Sequence, residues 1–193
     1  MTHPERSDER DAALDALVAT IPFPGWTMAA LRAAAGSDAD LLFPGGITDM
    51  VESWADLTDR RMPTPTDDRL PDRVRSVIAQ RLASLRPAKD AVRRAVAITA
   101  AHPASSARVT ARTVDAIWHA AGDRSADWSW YTKRAILAGV YGATLLFWLR
   151  DDSEDNADTL AFLDRRLAGL GRLGRLRRKS DAILQWLRPT PAD

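Results

Sequence analysis

Apolar residues along this chain recur three and four positions apart and almost nowhere alternate, so it can bury its hydrophobic surface only by folding into helices. The spacing predicts a first helix from the N-cap Ser7 to Thr20, with Leu14, Leu17, Val18 and Ile21 on one face. Ile21-Pro22-Phe23-Pro24-Gly25 breaks it. Short helices follow near Thr27 to Ala35 and Asp38 to Leu42, then a longer one from Ile47 to Met62. Three prolines make residues 63–71 a linker. Further helices are expected at Asp72 to Leu85, Pro87 to Ala101, Ser105 to Ala121, Asp127 to Arg150, Ser153 to Gly169 and Arg172 to Leu187. The expected organisation is an N-terminal helical unit (1–62), the linker, a helical body (72–171) and a terminal amphipathic helix (172–188).

A chain of 193 residues supports one good-sized core. It contains no cysteine, which removes disulfide, thiol and Cys-based metal chemistry. The formal net charge is only +1, so nucleic acid is not an expected partner. The N-terminus has neither an apolar signal core nor the acid-poor character of a transit peptide, and no apolar run reaches the roughly 18 residues of a membrane span. The chain reads as cytoplasmic.

Of the three histidines, only His119 sits on a predicted helix, with Asp115 one turn earlier. That pair could hold a metal or form an acid–base couple, but an isolated Asp–His pair is more often a structural hydrogen bond. No phosphate loop, nucleophile elbow or zinc motif occurs. The expectation is a protein that is no enzyme, with no catalytic residue, resident metal or cofactor. The helix with Ala29 to Ala34, the turn at Gly36-Ser37 and the short segment up to Phe43-Pro44 have the layout of a helix-turn-helix. Arg32, Arg60 and Arg61 there face Asp38, Asp40, Asp49, Glu52, Asp56 and Asp59, a balance that would repel phosphates and disfavours a DNA reader.

Near the C-terminus, Leu173, Leu176, Ile183, Leu184 and Leu187 share one side of a predicted helix with Trp186 at its edge. Arg172, Arg175, Arg177, Arg178, Lys179 and Arg188 supply the remainder. This pattern fits a helix lying in the headgroup plane of an anionic membrane, and equally a terminal helix packed on the core with a solvated basic face. The predicted helix from Asp127 to Arg150 is apolar nearly all round, so it must be covered on several sides by core, by a second subunit or by a ligand.

The segment from Thr113 to Arg134, TVDAIWHAAGDRSADWSWYTKR, resembles the signature of the coenzyme Q biosynthesis protein nine family. Ile21-Pro22-Phe23-Pro24-Gly25-Trp26, Leu42-Phe43-Pro44-Gly45-Gly46, Asp151 to Asp155 and Phe162-Leu163-Asp164-Arg165-Arg166 are similar to that family's pieces in the same order. Trp128-Ser129 departs from the family's Phe-Asn, and Ala100 to Ala104 departs from its Leu-Pro-x-Asn turn. The resemblance implies an all-α, TetR-like helical bundle with a degenerate helix-turn-helix. It also implies isoprenoid lipid or ubiquinone-intermediate binding in an apolar cavity, and presentation of that lipid to a quinone-ring hydroxylase. Homodimerisation through the last core helices is implied too, with peripheral association at the inner (cytoplasmic) membrane through the C-terminal helix. Trp118 matches the family's hydroxylase-facing region, although filling the core is the simpler reading of its spacing. Chosen for size and helical phase, the expected lipid-lining residues are Val92, Val96, Val114, Leu137, Tyr141, Leu145, Trp148 and Phe162. A TetR-type ligand-responsive transcriptional regulator is the rival reading.

Overall fold

The computed structural model describes residues 3–123 and 129–169. Every regular element among them is helical: α1 (Asp8–Ala19), α2 (Met28–Ala35), α3 (Gly46–Arg60), α4 (Leu70–Leu85), α5 (Lys89–Ala100), α6 (Pro103–Ala120), α7 (Ser129–Trp148) and α8, helical over residues 157–169. Local chemistry sets these limits. Ser7 accepts a hydrogen bond from the Arg10 amide, and Thr27 from that of Ala30, capping α1 and α2. Pro103 opens α6, where its missing N–H costs nothing. Gly122, at φ +77°, closes it, with the Gly122 amide bonded to the His119 carbonyl and the Asp123 amide to that of Trp118. Residues 61–69 are non-helical, as their prolines require. The predicted helix at 38–42 is a single 3-10 turn over Ala39–Leu42.

Helix α6 is the hub. It packs against α3, α4, α5 and α7, and most extensively against α3. Although α3 precedes the proline-rich segment, it lies more against α6 than against α1, and the core runs unbroken from Leu14 through Met50, Ile78 and Ile117 to Leu163. Helix α7 is covered on one side by Leu137, Val140, Tyr141, Thr144 and Trp148, while Tyr131, Ile136 and Leu146 on its outer side are exposed. The all-round covering expected of it is therefore met on the inner face alone.

The α3–α6 contact is ionic as well as apolar. Glu52 of α3 accepts hydrogen bonds from Ser105 Oγ (2.6 Å), Arg108 Nη2 (2.6 Å) and Arg112 Nη2 (2.7 Å). Burial pushes its carboxyl up, but hydrogen bonds from Arg108, Ser105 and Arg112 outweigh that and hold it down at about 2. Nearby, Asp56 receives Arg6 and Arg60, while Arg10 of α1 reaches Asp49 and Ser53 of α3 with its guanidinium 4.4 Å from the Phe43 ring. Acids read from sequence as a repulsive surface thus turn inward. Asp49, Glu52 and Asp59 are engaged with arginines of other helices and Asp56 with Arg6 and Arg60, leaving Asp38 and Asp40 on the outside, and Asp40 pairs with Arg32.

A depressed carboxylate pKa stabilises the fold fully above the unfolded value near 4.5, and that stabilisation is lost as pH falls toward 2. Glu52→Gln is accordingly expected to lower stability by on the order of 2–3 kcal/mol at pH 7. Denaturant melts of both proteins from pH 7 to pH 2 should show the gap closing in acid; a constant gap would count against this role.

Candidate ligand cavity

Helices α3 to α7 surround an open cavity of about 320 Å³, near the lower end of the range for small-molecule sites. Its walls are apolar: Val51 and Trp54 of α3, Leu85 of α4, Val92, Ala95 and Val96 of α5, Val109 of α6 and Leu145 of α7. It exists because several inward positions carry Ala55, Ala95 or Gly142 where a larger side chain would close the space. Trp54 is positioned by a chain of rings. Its own ring lies 5.2 Å from that of Trp26, which donates from Nε1 to the Ala91 carbonyl (2.9 Å) and meets Phe23 edge-on at 5.4 Å. The Ile21 to Trp26 motif therefore ties the N-terminal helices to α5. Gly25 is required there by its φ of +108°, a backbone conformation that side-chain-bearing residues rarely adopt.

One end of the cavity is polar. Arg81 of α4, 5% exposed, donates from Nε to Tyr141 Oη (2.9 Å) and from Nη2 to Thr58 Oγ1 (3.1 Å), and its Nη2 lies 2.7 Å from Asp59 Oδ1. Thr113 Oγ1 donates to the same carboxylate. Burial pushes the Asp59 carboxyl up to about 6, against the opposing pull of Arg81 and Thr113. Arg81 Nη1 is buried without a hydrogen-bond partner. The opposite end opens at Ala100, Ser106 and Leu146, the last 55% exposed.

The structure brings Val92, Val96, Tyr141 and Leu145 together in this cavity. The other four expected lining residues do not face it. Val114 is buried but borders a separate groove between α6 and α7. Leu137 lies one turn beyond Tyr141, in the closed core past the polar network. Trp148 is fully buried, donates from Nε1 to Asn156 Oδ1 (3.1 Å) and carries Lys89 Nζ 5.4 Å from its ring. Phe162 stacks on Phe147 at 4.6 Å and lies beneath Arg165 and Arg166. These two aromatics pin α8 to α7 rather than line a ligand site. Asp151 assists them: burial raises its carboxyl, yet bonds from Ser153 and Thr159 keep it below the usual carboxylate range.

Trp118 is half-buried against the core, with its indole N–H buried and lacking an acceptor. Asp115 pairs with Arg134, and no set of three or more metal-ligating side chains occurs among the described residues. Arg172, Leu173, Arg175, Leu176, Arg177, Arg178, Lys179, Ile183, Leu184, Trp186 and Leu187 lie outside the described residues. No helix among the described residues is long and apolar enough to cross a membrane. Sequence reasoning missed Arg81 and Trp54. The signal was present: Arg81 falls in phase with Val74, Val77, Ile78, Leu82 and Leu85, the core-facing stripe of α4.

Residues 104–174, which span α6 to α8 and supply two of the cavity walls, match the COQ9 family model. The chain resembles the COQ9 family over this stretch. "Ubiquinone biosynthesis protein COQ9, mitochondrial" of Drosophila melanogaster is 31% identical over 177 residues, covering 82% of this chain and 54% of that protein. The Homo sapiens protein of the same description is 38% identical over 87 residues, 43% of this chain and 27% of that protein. The one from Xenopus tropicalis is 50% identical over 64 residues, 33% and 20% respectively. The chain spans about half or less of the length of these curated relatives. Among solved structures, the TetR transcriptional regulator from Nitrosomonas europaea ATCC 19718 superposes with a TM-score of 0.65 at 23% identity, covering 84% of this chain and 97% of that one. The described residues thus share the all-α, TetR-like fold of that regulator.

Removing Arg81 strands a buried carboxylate. Arg81→Met is expected to cost about 3–5 kcal/mol in stability, and adding Asp59→Asn should restore a large part of it. A double-mutant cycle by urea denaturation measures both. Because the Asp59 pKa is raised, its contribution is greatest below about pH 4 and is lost as pH rises through 6; Asp59→Asn should remove that slope.

Proposed function

We propose that this chain is a non-catalytic accessory protein of ubiquinone biosynthesis that binds an isoprenoid quinone intermediate and presents it to a ring hydroxylase at a membrane surface. The observation that carries this reading is the open apolar cavity, two of whose walls, α6 and α7, lie in the stretch that matches the COQ9 family model. An isoprenoid chain leaving lipid exposes apolar area at roughly 25 cal/mol per Å², so a carrier must offer a comparably apolar shelter. The valine, leucine and tryptophan walls are of that kind. The basic amphipathic segment from Arg172 to Leu187 is suited to hold the carrier at an anionic bilayer. The exposed Tyr131 and Ile136 on α7 support self-association as a homodimer. In this reading the Trp118 end of α6 meets the hydroxylase.

A transcriptional regulator is favoured by the fold alone. Against it stands the segment that would enter the major groove, a four-residue 3-10 turn bearing Asp40 and the 79% exposed Leu41. A recognition element needs several turns and basic flanks.

Native mass spectrometry of the purified protein, followed by lipid extraction, is expected to reveal a co-purifying isoprenoid quinone or precursor. A uniformly unliganded protein that also fails to take up such lipids from vesicles would overturn the proposal. Ala95→Phe, which fills the cavity from α5, should cut lipid loading by roughly tenfold or more with little loss of stability. Flotation with phosphatidylglycerol-containing vesicles tests the membrane contact: replacing Arg175, Arg177 and Arg178 by Ser should weaken binding by on the order of tenfold or more, at about 1 kcal/mol per charge.

A further inference from the structure

Three features of the cavity have a common direction. The first is the hydrogen-bond account of Arg81. Its Nε–H is taken by Tyr141 and its Nη2 by Thr58 and Asp59, while Nη1 has nothing. A guanidinium carries five N–H donors and no acceptor, so a buried and idle Nη1 is a donor awaiting an oxygen. The second is Tyr141. Its oxygen accepts from Arg81, which leaves its own O–H proton available to donate, and both side chains line the cavity. The third is the gradient along the cavity. Arg81, Thr113 and Tyr141 are buried at one end, whereas Ala100 and Leu146 are exposed at the other.

We infer that Arg81, with Tyr141, receives an oxygen of the ligand's head group, so that the ligand enters head first and its hydrocarbon chain runs out past Leu146. The inference rests on the lipid-binding reading above and adds the class and the orientation of the ligand. The head is an uncharged ring carbonyl or hydroxyl, not an anion, because Asp59 already neutralises Arg81 at 2.7 Å and a second carboxylate would be placed beside it. The size agrees: about 320 Å³ accommodates a ring and the beginning of a chain, and the remainder must leave through the apolar mouth. A carrier built this way encloses the ring during transit and leaves the chain in contact with lipid.

The test is calorimetric titration of the full chain with three probes of equal isoprenoid length: a diprenyl benzoquinone, the corresponding hydrocarbon and the corresponding carboxylic acid. The protein should bind the quinone at least about tenfold more tightly than either competitor, the discrimination expected of a hydrogen bond to a charged donor. Arg81→Met/Asp59→Asn, which removes the buried pair without leaving a lone charge, should bind quinone and hydrocarbon within about twofold of one another. In infrared spectra the bound quinone carbonyl should lie at lower frequency in the wild type than in that variant. Should the double variant not fold, Tyr141→Phe takes its place, with a smaller loss of preference for the quinone. Equal affinity of the wild type for quinone and hydrocarbon, or a tighter carboxylic acid, would overturn the Arg81 assignment while leaving lipid binding intact. Failure of all three probes to bind would remove the lipid-binding reading with it.

Discussion

The structure depends on how α3 is attached to α6. Two carboxylates about two turns apart on one face of α3, Glu52 and Asp59, are removed from water and answered by arginines from other helices: Glu52 by Arg108 and Arg112 of α6, Asp59 by Arg81 of α4. Removing charges from water is costly, and attraction in the interior offsets that only when geometry is good and the remaining lone pairs are met. Glu52 satisfies both conditions, with three donors on its two oxygens, and its pKa falls. Asp59 does not, and its pKa rises. One pair therefore fastens the N-terminal helices to the hub. The other leaves one donor, Arg81 Nη1, without a partner at the end of the cavity.

That contrast bears on why the cavity persists. Interiors are close-packed, and at roughly 24 cal/mol per Å³ a sealed void of this volume would cost about 8 kcal/mol, comparable to the whole stability of a typical domain. Such a space is tolerable only when open to solvent or filled. It is open at Leu146. Filling it with a ligand converts the defect into packing, so the same small residues that weaken the empty protein create the driving force for binding.

How far the sequence could be read follows from which signals are local. The helices among the described residues, the proline breaks and the cap at Ser7 are set by neighbouring residues and were legible to within a few positions. Cavity residues were half legible: helical phase placed Val92, Val96, Tyr141 and Leu145 on inward faces, but phase gives direction without depth. Val114 and Leu137 point inward too and end in closed core, because what lies across from them belongs to helices distant in sequence. Trp148 and Phe162 were misread for a related reason. Their partners, Asn156 and Phe147, follow from the turn at 154–156, whose positive-φ residues Asp155 and Asn156 no periodicity announces. An arginine in the apolar stripe of α4 was the one overlooked signal that needed no structure, since a charge at a core phase is retained only when something pairs with it.

The acidic balance of the N-terminal unit shows why counting charges is weaker than locating them. From sequence, six acids against three arginines described a surface hostile to phosphate; in the fold, four of those acids are spent on partners inside the bundle. Arg10 is buried against Phe43, Asp49 and Ser53, while Arg60 pairs with Asp11 and Asp56, and Arg61 with Asp15, at the surface where α1 meets α3. The arginine–carboxylate contacts that hold the first three helices together make that end of the bundle a wall. That wall bears, through Trp26 and Trp54, directly on the cavity.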